Sequence, residues 1–162
     1  MEVKTLSKKA KYGLQAMYHL AREYGHGPVL IADIAEQERI PKKFLEAILW
    51  DLKVRGVVVS KRGKGGGYFL GRPPEEVTIG SIVRMIDGPL APLPCASETA
   101  YRRCEECQDE RSCGTRMIMR KVRDATAQIL DHTTLVDACR MVDEAKSRAR
   151  ATKRRKSEVA RA

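Results

Sequence analysis

Gly63-Lys64-Gly65-Gly66-Gly67 places four glycines in five residues, and no other stretch of the 162-residue chain limits its folding so sharply. Glycine costs about 1 kcal/mol per helical position relative to alanine, so the run stops a helix; it also supplies the positive backbone angles of tight turns. Residues 57–62 before it open on three valines, and Tyr68-Phe69-Leu70 behind it can return as a partner strand. A small β-hairpin is expected, its tip carrying Lys61, Arg62 and Lys64.

Three helices are expected ahead of this hairpin. Over residues 8–24, Tyr12, Leu14, Ala16, Met17, Leu20 and Ala21 fall largely at helical spacing, and Gly25, Gly27 and Pro28 end the run. Residues 31–37 make a short second helix with Ile31, Ile34 and Ala35 on one face, followed by a turn at residues 38–40. Pro41 suits the first position of a third helix running to Gly56, in which Leu45, Ile48, Leu49 and Leu52 form the apolar stripe. Two helices across a tight turn, the second presenting Lys42, Lys43 and Glu46 at its amino end, make a helix-turn-helix, and the hairpin is then its wing. The backbone at Gly65 and Gly66 could approach phosphates or enter a minor groove without side-chain obstruction. A merely mobile turn is the alternative. Nucleotide binding is disfavoured, because neither G-x-x-x-x-G-K-[ST] nor a strand-to-helix G-x-G-x-x-G is present.

Charge supports a polyanionic partner. The chain has 31 Lys and Arg against 21 Asp and Glu, a net +10. Residues 1–90 carry 15 basic and 10 acidic groups, and residues 145–162 carry eight and one. The tail, with Lys153-Arg154-Arg155-Lys156, is expected to be a disordered, solubilising or DNA-attracting arm. No apolar run approaches the ~18–20 residues of a membrane span, and Gln15 and His19 interrupt the only signal-like stretch, so a cytoplasmic protein is expected. An enzyme with a cysteine nucleophile is disfavoured: His19 and His26 lie in or beside the first helix, His132 is remote, and no Cys occupies a recognisable catalytic turn.

The run Pro28-Val-Leu-Ile-Ala-Asp-Ile-Ala-Glu, the helix ending Leu52-Lys-Val-Arg-Gly56, and above all Lys61-Arg-Gly-Lys-Gly-Gly-Gly-Tyr68 resemble the Rrf-two family of bacterial winged-helix transcription regulators, of the IscR and NsrR types. The resemblance covers about residues 4–140. It implies a homodimer bound to an imperfect palindrome in double-stranded DNA, with the third helix in the major groove and the wing in the minor groove. Matching positions are Lys43 and Glu46 on the recognition helix, Arg62 in the wing, and Lys9, Lys11 and Tyr12 on the first helix near the phosphates. Lys9, Lys11 and Lys42 would mainly neutralise phosphates, whereas Lys43 could donate to guanine O6 or N7 and Glu46 could accept from cytosine N4.

Residues 79–86 read as a fourth helix, ended by Gly88, Pro89, Pro92 and Pro94. Cys95, Cys104, Cys107 and Cys113 then fall within nineteen residues of loop. Clustered thiolates hold iron-sulfur clusters or zinc, and the C-x-x-C at Cys104 and Cys107 has the local reach for either. The family resemblance favours a 2Fe-2S or 4Fe-4S cluster, and Cys107-x5-Cys113 matches the spacing of its last two cysteine ligands. Eleven residues separate Cys95 from Cys107, more than the family pattern has, and Cys104 is an additional thiol. Where IscR-type relatives carry a histidine ligand this chain has Arg116, and where some NsrR-type relatives use a carboxylate it has Lys11; both are poor ligands when cationic. Cys104 is then the simplest fourth donor, or else the fourth ligand is exchangeable. Zinc, metal-free thiol sensing and an idle segment remain as alternatives.

In a helix over residues 114–131, Ile118, Val122, Ala125 and Ile129 recur at alternating four and three, the spacing of a helix-helix seam. A dimer seam is expected, the alternative being packing on its own domain. Thr133-Thr134 can cap a shorter helix over residues 135–145, in which Cys139 is expected to be a buried apolar thiol, with His132 a surface or interface residue.

The expected architecture is mainly α with a small β-hairpin wing. Residues 1–90 form the winged helix-turn-helix, 91–113 the cluster-binding loop, 114–145 the dimerisation helix and its short follower, and 146–162 the basic tail. The expected function is transcription regulation governed by iron-sulfur status, redox state or nitric oxide. The competing reading is the same fold answering a small molecule or partner protein without a metal cluster.

Overall fold

Helix α1 (Lys8–Arg22) starts where the Ser7 hydroxyl accepts the Ala10 amide at 2.9 Å, which satisfies one of the orphan donors of the first turn. The structure is a computed structural model and describes residues 6–159, with side chains as far as Thr152. Ala10, Gly13, Ala16, Met17 and Leu20 form the buried side of α1. Gly13 lets the later helix that carries Ile86 come close: a Cβ there would collide with the Ile86 side chain.

Helix α2 (Ile31–Gln37) has the predicted bounds, and α3 (Lys42–Val54) buries Leu45, Ile48, Leu49 and Leu52. Pro41 is the residue before α3, not its first turn. The intervening turn places Arg39 at φ 53°, in the left-handed region, and closes through Ile40 N–H to the Ala35 carbonyl at 2.9 Å.

Strands β1 (Val58–Lys61) and β2 (Gly67–Leu70) pair antiparallel, with Val58 opposite Leu70 and Lys61 opposite Gly67. A third piece of backbone joins them. Val29 and Tyr68 exchange both amide-to-carbonyl bonds at 2.8 Å, which anchors the hairpin to the segment before α2. Gly67 permits this approach, since its φ is 155° and a Cβ would collide with the Val29 carbonyl.

Helix α4 (Ile79–Asp87) closes the head, with Thr78 as its capping residue. A proline-rich segment with one 3-10 turn (Pro94–Ala96) leads through the cysteine loop to α5 (Gly114–Asp131) and α6 (Leu135–Val159). The α5–α6 corner is sewn to the start of α4: Ile79 donates to the Thr133 carbonyl and Leu135 to that of Val77, each at 2.9 Å. Leu135 and Ala138 then enter the same apolar core as α1, α3, β1, β2 and α4. Helix α6 outruns its expected end. It continues to Val159 instead of giving way to a disordered tail after residue 145, because residues 145–159 contain no Gly or Pro and are rich in the helix formers Ala, Lys and Arg. The side chains of Lys153-Arg154-Arg155-Lys156 lie outside the described residues.

Candidate nucleic-acid interface and sulfur loop

Burying four aliphatic residues of α3 in the core turns its other side outward. Lys42, Lys43 and Glu46 are all exposed near its amino end, where a helix entering a groove reaches bases first. On α1, Lys11 is exposed but Lys9 is already engaged: its Nζ lies 2.5 Å from Asp51 Oδ2, an ion pair that ties α1 to α3. Tyr12 is half-buried and meets Phe44 of α3 edge-to-face, ring centroids 5.7 Å apart, while Lys8 Nζ sits 5.9 Å from its ring. Neither Phe44 nor Lys8 stood out in the sequence, because only the packing of α1 against α3 brings them to Tyr12.

At the wing tip Lys61, Arg62, Lys64 and Gly65 are exposed. Gly66 is not. It is buried, its amide donates to the Gly63 carbonyl at 2.9 Å, and a Cβ would collide with the Lys61 carbonyl. Gly66 thus shapes the turn that presents Arg62 and Lys64, and does not itself face outward.

The sulfur loop hangs on α5 by two arginines. Arg116 Nε donates to the Cys95 carbonyl at 2.9 Å, and Arg123 Nη1 to the Ala96 carbonyl at 2.8 Å. Seven residues apart, they share one side of α5, and Ile118, Val122, Ala125 and Ile129 lie on the other. Arg123 is only 7 % exposed, and Asp124 and Glu98 balance its charge, the latter at 3.1 Å. Arg116 also reaches the Glu110 carbonyl at 3.4 Å and lies 6.0 Å from the ring of Tyr101, whose hydroxyl bonds the Glu110 carboxylate.

Cys107 donates its amide to the Cys104 carbonyl at 3.3 Å and lies beside Cys113, which immediately precedes α5. Loss of hydration, then the sulfurs of Cys113 and Cys104 and the carboxylate of Glu110, push the Cys107 thiol up from its ordinary value. Cys95 is buried, and with Cys104 it lines a cavity of about 390 Å³ rimmed by Arg102, Arg103, Glu105 and Glu106. Among the described residues no three His, Cys, Asp or Glu side chains converge tightly enough for one metal ion. The donor set nevertheless suits iron and sulfide: it is all thiol, and a multi-iron cluster takes thiolates spaced more widely than a single ion does. Cys139 stands apart, half-buried, its Sγ 3.7 Å from the Tyr18 carbonyl, with burial pushing the thiol up. His132 is exposed, its Nδ1 2.8 Å from the Gln128 carbonyl.

A family model described as "Rrf2: Iron-dependent Transcriptional regulator" matches residues 6–141. The chain belongs to the Rrf2 family. It is 43 % identical over 135 residues to an rrf2-like HTH-type transcriptional regulator of Rhodobacter capsulatus, covering 82 % of this chain and 90 % of that one. Among solved structures it is similar to CymR, the global cysteine regulator of B. subtilis, with a TM-score of 0.72, 33 % identity and coverage of 86 % and 98 %. It is also similar to T. potens IscR, with a TM-score of 0.69, 31 % identity and coverage of 90 % of each chain. This Rrf2-family chain is therefore a winged-helix transcription regulator and not an enzyme. Among the described residues no helix is long and apolar enough to cross a membrane.

Proposed function

We propose that the chain acts in the cytoplasm as a homodimer that reads an imperfect palindrome through α3 and the wing, with operator occupancy set by the state of residues 91–113. Lys43 and Glu46 read base edges, Arg62 and Lys64 enter the minor groove, and Lys11 and Lys42 neutralise phosphates. The exposed seam of α5 supports a dimer: Ile118 is 58 % and Ile129 66 % exposed in the single chain, an apolar stripe that a second copy would cover.

The observation that carries the sensing reading is that Cys107 lies beside both Cys104 and Cys113, just ahead of α5, while Cys95 and Cys104 line one loop cavity. These four thiols would hold an iron-sulfur cluster. Such a group supplies a centre whose charge and integrity respond to oxidants, nitric oxide and iron supply. Thiolates gathered there would repel one another, and iron removes that penalty. Arg116 and Arg123 join the loop to one side of the helix whose other side forms the seam, so loop order bears on how two heads are set. A coupling of only a few kcal/mol is enough to change occupancy substantially.

Iron and acid-labile sulfide analysis of anaerobically purified protein, with its visible spectrum, tests this reading. Iron, sulfide and visible absorption are expected in the parent and lost in Cys107→Ser and in Cys113→Ser. A full spectrum in both variants would overturn the ligand assignment. The likeness to a global cysteine regulator and the loop cavity favour a second reading, in which a small molecule or partner acts there without metal. Iron-free protein whose operator binding responds to such a ligand would select it.

A further inference from the structure

Beyond its amino end, the exposed ridge of α3 is apolar. Ala47, Trp50 and Val54 follow Lys43 at intervals of four, three and four, so the four residues form one line along the helix. The buried stripe Leu45, Ile48, Leu49 and Leu52 lies diametrically opposite. Trp50 is 58 % and Val54 70 % exposed. Lys53 Nζ lies 5.6 Å from the Trp50 ring centroid, so a cation covers one face of the indole while the rest stays open to water.

We infer that this ridge packs against the 5-methyl groups of thymines in the major groove, with Trp50 as its central contact. The inference rests on the proposed reading of DNA by α3 and adds a specificity determinant to it. Two features single out a duplex as the partner. The line is continuous with Lys43 and with Lys42 and Glu46 beside it, and Lys53 and Arg55 bring further cations to its carboxyl end. An apolar line between cations matches a major groove, whose floor carries thymine methyls between two rows of phosphate. An apolar protein surface would gain little from those flanking cations. Polar hydrogen bonding by Lys43 and Glu46 cannot distinguish thymine from uracil, whereas an apolar contact with the methyl can.

The test uses the full chain and a duplex enriched from a random pool by the parent protein, with deoxyuridine replacing thymidine one position at a time. This removes a methyl and leaves the base pairing intact. At one position in each half-site, parent affinity should fall about fourfold, the ~0.8 kcal/mol that a buried methyl-sized group contributes. Trp50→Ala should bind the thymidine and deoxyuridine duplexes equally. Trp50 is the only Trp, so its emission should shift when the duplex binds. Enrichment of no duplex would overturn the DNA-reading proposal together with this one. Specific binding with unchanged Trp50 emission would overturn this inference alone, as would full thymidine preference in Trp50→Ala. An emission shift driven by protein concentration without DNA would assign the ridge to self-association and likewise overturn it.

Discussion

The DNA-reading head and the sulfur loop adjoin in sequence but are held by different forces. In the head, α1, α2, α3, α4 and the hairpin share one apolar core in which Met17, Ile34, Leu45, Ile48, Leu49, Leu52 and Ile82 have no exposed surface. Between Pro94 and Cys113 the only regular structure is one 3-10 turn, and the residues from Glu98 to Glu106 are all exposed. Two arginine-to-carbonyl bonds and a few local polar contacts position this loop. Residues 1–90 contain no cysteine, so the apolar packing of the head does not depend on thiol chemistry. A segment resting on a handful of hydrogen bonds opens at low cost and can change state while the head stays folded.

The sharpest way to break this contrast is to substitute one residue in each region. Ile48→Ala removes three heavy atoms from a fully buried site and is expected to cost about 2–5 kcal/mol, depending on how far α1 and α4 relax into the cavity. In iron-free protein, Cys104→Ser, at an exposed loop position, should fall within about 0.5 kcal/mol of the parent. Urea unfolding followed by circular dichroism measures both. Comparable losses would mean that the loop is part of the folding core, and the division drawn between the two regions would fail.

Arg123 lies on the boundary. Arg123→Ala leaves the Ala96 carbonyl without its guanidinium donor and strips Asp124 and Glu98 of their partner. The expected cost is about 1–3 kcal/mol, the range for a lost charged hydrogen bond at a buried group. Its location is more telling than its size. Hydrogen exchange should accelerate in amides from Ala96 to Cys107 and stay unchanged in α1 and α3. Uniform acceleration across the head would show that Arg123 supports the whole fold and not the loop alone.

What the sequence made legible follows the same division. Apolar periodicity located α2 at its observed bounds and placed the hairpin around its glycines, because those elements are set by which residues must leave water; α5 also has its expected bounds, with its apolar stripe exposed in the single chain. Pairings between distant polar groups carry no such signature. Lys9 reads as a free phosphate-binding cation until Asp51, 42 residues on, is found beside it. The Val29–Tyr68 pairing, which explains Gly67, has no local pattern, since one bridged residue does not alternate. On α5 a clue was present. Arg116 and Arg123 repeat at seven opposite the apolar seam, but charged residues away from a seam usually face water, and only the loop's carbonyls distinguish them. The four thiols were visible as a cluster of residue type; that Cys95 is buried while Cys104 is exposed depends on how Pro94 and the arginines place the 3-10 turn.

A smaller effect than that of Arg123 concerns the joint between the head and α5. Arg84 of α4 makes two bonds to Asp131 at the end of α5, Nη1 to Oδ1 at 2.5 Å and Nη2 to Oδ2 at 2.8 Å. Gly80 leaves room for that carboxylate, which a Cβ would strike. The hydrogen bonds from Arg84 hold the Asp131 carboxyl below its ordinary value, with partial burial acting the other way. A carboxylate depressed in the folded state stabilises it above the unfolded value, near pH 4, and this contribution fades as pH falls through the lower folded value. Both partners are 36 % exposed, so water screens the pair and Asp131→Asn should cost no more than about 1 kcal/mol at neutral pH. The gap between parent and variant, followed by urea unfolding, should narrow below pH 4 and close under stronger acid, because the substituted amide does not titrate while Arg84 stays cationic throughout. A gap independent of pH would trace the loss to shape beside Gly80 and not to charge. Operator affinity measured on the same variant would then show whether this ion pair, or the backbone bonds from Ile79 to Thr133 and from Leu135 to Val77, fixes the angle between head and α5.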